Sequence, residues 1–418
     1  MSRVKVLVQK FGGTCLDTAE KRSLAVERIK EAVDNDYQVV AVVSAMGRRG
    51  EPYATDTLIG LAKEVSPELA PRELDLLMSC GEIISAVLMV SELKARGLRA
   101  LALSGGQSGI ITDTSFGDAK ILRVEPAHVL KHLEEGYVVV VAGFQGRAES
   151  GDITTLGRGG SDTSATALAA ALGAEAVEIY TDVDGIMTAD PRIVPEARTI
   201  PVVTYEETVQ LAREGAKVIH PRAVEIAARA GIPVRVRTMA ANGRNTLVTS
   251  ADKAVASPWS DWQNGKPVTG ITYRESLVQI VVPGVFQGAV LNAEKVFEAV
   301  RFVSVDLINV FPEMMSFVVS EQDSREALTA LEKAAVPAEA FPRRAKVTVV
   351  GFGMHGRPGV MYTVLKALAS QGVRLYATAD SHMTISCLID GDLLNKAVNA
   401  LHRAFQLEGM GQPRGDEQ

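Results

Sequence analysis

The chain has 418 residues, of which 47% are hydrophobic and 22% charged, with a formal net charge of -6. Its length predicts two or three domains, its composition excludes a disordered chain, and its acidic balance excludes a general nucleic-acid or anionic-membrane surface. No nucleic-acid or membrane partner is expected, and any phosphate site must be local.

Cys15, Cys80 and Cys387 lie far apart without metal-ligand spacing, and the six histidines show no ligand pattern. Neither a signal peptide nor a segment of membrane-span length is read, so a reduced, cytoplasmic chain is expected.

Residues 4–8 form a β-branched run followed by Lys10-Phe11-Gly12-Gly13-Thr14, and residues 16–33 then read as an amphipathic helix. Strand, glycine turn and helix is an arrangement that holds phosphate in α/β proteins, with Lys10 reaching the anion and the Gly12 and Gly13 amides lining it. An ordinary strand-to-helix turn with a surface lysine fits the same residues. Residues 38–43 predict a second strand that ends at Ser44, and Thr55 follows a charged loop. Residues 71–93 predict a long helix interrupted at Cys80-Gly81-Glu82, where a glycine and an acid mark a break or a site. Glu82 is a candidate to hold an ammonium group; a solvated helix charge is the plain alternative.

Further strands are expected at 100–103, 137–141 and 177–180, the unbroken valine run at 138–141 having the character of a central, doubly covered strand. Between the last two lies Gly157-Arg158-Gly159-Gly160-Ser161-Asp162-Thr163-Ser164, running into the alanine-rich stretch 165–172. Bare backbone amides at a helix start attract phosphate or carboxylate, Arg158 adds a planar cation, and Asp162 suits orienting cations. A tight turn with Ser161 or Asp162 as N-cap is the plain reading. Thr181-Asp182-Val183-Asp184-Gly185 and Met187-Thr188-Ala189-Asp190-Pro191-Arg192 make a candidate nucleotide loop, and Gly215-Ala216-Lys217 places a second lysine behind a glycine.

Residues 250–267 lose all periodicity and read as a linker. Beyond them lies an internal repeat, with Val281-Val282 matching Val349-Val350 and Val296-Phe297 matching Val364-Leu365. Each copy reads as strand, helix, two strands, helix, which predicts two small ferredoxin-like units. The second copy has His355-Gly356-Arg357-Pro358-Gly359-Val360 at its helix start, a candidate carboxylate site, and the first lacks the Pro-Gly pair there. Sheet edges on such units predict oligomerisation.

Taken in order, the Lys10-Phe11-Gly12-Gly13-Thr14, Gly157–Asp162, Thr181–Arg192 and Gly215-Ala216-Lys217 motifs resemble aspartate kinase over nearly the whole chain. The resemblance implies an α/β amino-acid-kinase fold, mainly a parallel sheet between helices, at 1–250. It implies a linker at 251–268, ACT domains at 269–342 and 343–408, and a tail at 409–418. It also implies transfer of the ATP γ-phosphoryl group, with Mg²⁺, to the side-chain carboxylate of L-aspartate, the entry step to lysine, diaminopimelate, threonine and methionine.

Carried over by position, Lys10, Asp162 and Lys217 are the implied catalytic residues, Asp162 organising the two lysines. Lys10, Phe11, Gly12, Gly13, Thr181, Asp182, Met187, Thr188, Ala189, Asp190, Pro191, Arg192 and Lys217 face ATP. Ser44, Thr55, Glu82, Arg158, Gly159, Gly160, Ser161 and Asp162 hold aspartate. The ACT pair implies feedback by meso-diaminopimelate, lysine or threonine at residues 355–360, nearest in look to the diaminopimelate-regulated bacterial type, in a homo-oligomer or an α2β2 assembly. Cys15 and Met187 depart from the commonest family residues, which are serine and an aromatic. A glutamate, acetylglutamate or nucleoside monophosphate kinase, and a non-catalytic amino-acid sensor, are the competing readings.

Overall fold

A computed structural model describes residues 5–240, 243–257, 267–284, 291–311, 313–354 and 356–408. The chain divides into two compact units, one of Met1–Ile186, Thr199–Ala212 and Lys217–Gln263, the other of Met187–Arg198, Arg213–Ala216 and Asn264–Gln418.

The first unit is built on an eight-stranded sheet whose centre is Ala176–Tyr180, Lys5–Phe11 and Tyr37–Val43. These strands, with Val138–Ala142, Ala100–Leu103 and Val234–Arg237, run parallel; only Asn245–Thr249 and its neighbour Val202–Thr204 run the other way. Val138–Ala142 is buried at every residue, as its unbroken apolar run requires, although it lies one strand from the sheet edge rather than at the centre. A second sheet of four short strands carries Ile153–Thr155, which leads to the glycine turn at 157–160. Leu7, Phe11, Val39 and Val140 pack against Ala25, Ile29, Met89 and Leu93 from two covering helices in one core.

The long helix departs from the sequence expectation, because Pro71–Ala95 is continuous through Cys80-Gly81-Glu82. Gly81 is needed for close approach rather than for a break, since a Cβ there would stand 2.8 Å from the Ala45 side chain and 2.9 Å from the Tyr53 carbonyl oxygen. By length and composition this helix reaches a membrane span, contrary to the sequence reading that no segment does. Asp75, Ser79 and Glu82 are nonetheless buried along it.

The second unit holds a six-stranded antiparallel sheet in the order Asp306–Val310, Met314–Ser320, Gly270–Pro283, Glu339–Val350, Thr384–Asp390, Ala377–Asp380. Helices Leu291–Ala299 and Glu321–Lys333 belong to the first repeat, Val360–Ser370 and Leu394–Ala404 to the second, as the repeat predicts. The two copies share strands: Leu277–Val281 pairs with residues 339–344, whereas residues 270–274 pair with 346–350, with a register shift between. The second copy thus borrows a strand segment that precedes the first copy in sequence.

Two segments that precede residue 250 also pack in this unit. Ala189 and Val194 enter the core with Ile271, Val347, Leu368 and Leu401, and the Thr188 carbonyl accepts the Ile271 amide at 2.8 Å. Lys346, buried in the sheet, is held by Glu214 at 2.7 Å and by Asp306. Within the expected linker, Ala251–Ala256 is a short helix, and residues 258–266 lie outside the described residues.

Candidate active site

Strand order puts the first glycine motif beside the second. The central strand Lys5–Phe11 ends at Lys10, and its Nζ lies 2.7 Å from Oδ1 of Asp162, with both side chains about nine-tenths buried. Asp162 sits in the first turn of the helix Gly160–Leu172, where a carboxylate also meets the positive end of the helix dipole. Its Oδ2 accepts the His220 backbone N–H at 3.3 Å. Gly159 caps the helix with φ 66°, a left-handed conformation, and a Cβ there would stand 2.2 Å from the His220 side chain. A glycine is therefore required for the turn to pass His220.

The turn after Lys10 is held in place by its neighbours. The Gly12 amide donates to the Tyr180 carbonyl oxygen at 3.3 Å, the Ser44 amide to Phe11 at 3.1 Å, and the Gly47 amide to Gly13 at 3.2 Å. Phe11 stacks on Tyr180 with ring centroids 4.9 Å apart. The Tyr180 hydroxyl donates to Glu178, a buried carboxylate that also receives Gln9 and Arg237, so the stack rests on a satisfied polar network.

Glu82 comes to the same corner from the long helix. One of its oxygens accepts the Ala45 amide at 3.1 Å, just beyond Ser44, while the other is buried without a hydrogen-bond partner. Burial pushes its carboxyl up to about 8 against the Ala45 hydrogen bond. A cationic group bonded to the free oxygen would return it to the ionised state.

Ser44 and Thr55 are half-buried, and Ser161 is buried beside Asp162. Arg158 and Lys217 are exposed and make no ion pair among the described residues, where Asp162 engages Lys10 and not Lys217. Thr181 is half-buried, and the exposed Asp182 pairs with Arg48 at 3.0 Å.

The stretch read from sequence as a nucleotide loop is divided, with Thr181 and Asp182 in the first unit and Met187–Arg192 in the second. Met187 is half-buried and Ala189 buried, while Pro191 is exposed. The wholly buried Thr188 hydroxyl is bonded to His402 at 2.9 Å and accepts the Arg198 amide at 3.1 Å. Asp190 receives Arg192 and the Tyr273 hydroxyl, and the Arg192 hydrogen bond holds its carboxyl down at about 2.

Asp75 was not singled out from sequence. It is fully buried and accepts the Thr155 amide at 2.7 Å, the Thr155 hydroxyl at 2.8 Å and the Gly117 amide at 3.0 Å, bracing the segment that leads to Arg158. A signal existed, since Asp75 and Glu82 are seven residues apart and so share a helix face.

Gly356, Arg357, Pro358 and Gly359, expected from sequence to hold an effector, precede the helix Val360–Ser370, which Gly359 caps with φ 89°. His355 lies outside the described residues.

Residues 5–238 match the amino acid kinase family and residues 347–405 an ACT domain. Aspartokinase 1 of Bacillus subtilis is 45% identical over 406 residues, covering 97% of this chain and 100% of that one. The crystal structure of Escherichia coli aspartokinase III with aspartate and ADP (R-state) superposes with a TM-score of 0.76 at 25% identity, covering 96% of this chain and 99% of that one. The same enzyme with lysine and aspartate (T-state) gives 0.71 at 25% identity over the same shares. With its glycine motifs, its lysine–aspartate pair and its repeated C-terminal sheet, the chain belongs to the aspartokinases of the amino acid kinase family.

Proposed function

We propose that this aspartokinase transfers the γ-phosphoryl group of ATP to the side-chain carboxylate of L-aspartate at the corner formed by Lys10, Asp162 and Glu82, giving 4-phospho-L-aspartate. The observation that carries the reading is the buried Lys10–Asp162 pair at a helix N-terminus, with a buried, unpaired Glu82 oxygen on the Ala45 turn beside it in the same unit. A carboxylate acceptor has a reference pKa of about 4, so it is already deprotonated at neutral pH and needs no general base. The barrier is repulsion between two anions, which fixed positive groups reduce without reorganising.

Lys10 meets the phosphates and the transferring group, with Phe11, Gly12, Gly13, Thr181, Asp182 and Lys217 on the nucleotide side. Asp162 keeps the Lys10 ammonium aimed. Glu82 takes the substrate ammonium, Arg158 a substrate carboxylate, and Ser44, Thr55, Gly159, Gly160 and Ser161 line the remainder. The side chains of Thr188 and Asp190 are engaged within the chain, so any part these two take in holding the nucleotide falls to their backbone.

Among the described residues no cluster of three or more His, Cys, Asp or Glu side chains can hold a metal. Mg²⁺ therefore fits as a partner of the triphosphate and water rather than of a protein cage. When bound there it supplies charge neutralisation across the phosphates.

The ACT pair supports feedback by an end-product amino acid, with meso-diaminopimelate the candidate to which the resemblance points. Exposed Phe302, Ile308, Val310 and Phe311 support an oligomer, whether homomeric or α2β2. Three free cysteines support a cytoplasmic setting.

The test is ATP- and Mg²⁺-dependent acyl phosphate formation, trapped as the hydroxamate. Product from L-aspartate but not L-glutamate is expected, with inhibition when meso-diaminopimelate is added and less with lysine or threonine. Equal turnover of glutamate overturns the substrate assignment.

Asp75→Ala adds a check on the support beneath Arg158. Without the carboxylate the Thr155 and Gly117 amides lose their acceptor, so a stability loss of about 1–3 kcal/mol is expected. A several-fold rise in KM for aspartate should accompany it, with KM for ATP nearly unchanged. An equal rise in both would show a general structural effect instead.

A further inference from the structure

Away from the corner described above, the helix Ala127–Glu134 carries His128 and His132 four residues apart, which places them on one face. Their Nε2 atoms lie 3.1 Å from each other, and the rings tilt at 50° with centroids 4.7 Å apart. The opposite nitrogens are both engaged. His128 Nδ1 is 3.2 Å from the Gln107 carbonyl oxygen, and His132 Nδ1 is 3.3 Å from the Glu135 carboxylate.

A carbonyl oxygen and an ionised carboxylate can only accept, so each Nδ1 must carry a hydrogen and donate it. In two neutral imidazoles that leaves both Nε2 atoms as bare lone pairs pointed at one another. Lone pairs at that separation repel unless a cation lies between them. An Nδ1–H held by a carbonyl or carboxylate is also the support that metal-bound histidines ordinarily have, because it fixes the tautomer and raises the basicity of the ligating nitrogen.

We propose that His128 and His132 form a two-nitrogen site for one late first-row divalent cation of the Zn²⁺, Ni²⁺ and Cu²⁺ class, with water completing its coordination. A cation about 2.05 Å from each Nε2 would see the pair at an angle of roughly 98°, between octahedral and tetrahedral values. Imidazole nitrogen selects these ions over Mg²⁺, which prefers oxygen, so this site is separate from the cation that travels with ATP. Gln107 belongs to a turn in which the Ser104 amide donates to its side chain at 2.9 Å. The bound ion therefore clips the helix to that turn through His128 and acts on stability, not on the phosphoryl transfer.

The full-length protein, free of nucleotide, is titrated with ZnCl₂ by calorimetry, and Cu²⁺ is added for electron paramagnetic resonance. One saturable site per chain is expected, with a raised melting temperature and hyperfine splitting from two nitrogens. His128→Gln and His132→Gln should each weaken Zn²⁺ binding at least tenfold and remove the two-nitrogen signal, while kinase turnover without added Zn²⁺ and circular dichroism stay unchanged. MgCl₂ should produce none of these effects. Absence of saturable Zn²⁺ binding overturns the proposal, and so does binding that both variants retain, since the ion would then sit on other residues. A pair that only shares a proton would show the first of these two results.

Discussion

Lys10→Ala is expected to lower kcat by on the order of 10³-fold, because it removes a fixed positive charge from the point where two anions must meet. The substitution also strands the Asp162 carboxylate, which is buried and keeps only the His220 backbone N–H. Removing one partner of a buried pair costs about 3 kcal/mol, so the melting temperature should fall as well. The two effects separate in the double variant Lys10→Met with Asp162→Asn, in which neither position carries a charge. Stability should recover most of the loss while kcat stays low. Near-normal turnover in either variant would remove Lys10 from the mechanism.

Glu82→Gln is expected to raise KM for aspartate by about 10- to 100-fold, the range of a hydrogen bond to a charged group, with a smaller change in kcat. The pH dependence makes the prediction specific. Burial raises the Glu82 carboxyl to about 8, so below that pH most of the unliganded enzyme carries a neutral group where an anion must meet the substrate ammonium. KM should then rise by up to about tenfold for each pH unit below 8 in the wild-type enzyme, and the variant should lose this slope.

Stability follows the same linkage. Between the ordinary carboxyl pKa and about 8 the folded chain binds a proton at Glu82 that the unfolded chain has lost, so stability falls as pH rises through that window. Melting curves of Glu82→Gln should lack this component. Parallel wild-type and variant pH profiles, in KM and in melting temperature, would contradict the assignment.

Much of the architecture is legible in local sequence because the controlling forces are local. The valine run at 138–141, the glycine turn at 157–160 and the repeat after residue 267 each carry their structure in a short window, through β-branching, backbone freedom and periodicity. Sequence alone left a break or a site open at Gly81, because the reason for the glycine lies 36 residues away, in the Ala45 side chain that it must pass. Asp75 was missed because a lone acid in an apolar helix looks solvated until the Thr155 and Gly117 donors are brought to it.

The chain by itself determines the two lysine-bearing glycine motifs, the acid at 82 and the tandem units, since residue type and short spacing decide them. Only the tertiary structure decides that Asp162 pairs with Lys10 and not with Lys217, because parallel strand order, not sequence distance, sets which loops share a corner. It also decides that residues 187–198 pack with the C-terminal sheet, and that the two repeats exchange strand segments. Those outcomes rest on apolar surfaces and backbone hydrogen bonds that find their partners across hundreds of residues, where no local pattern records the match.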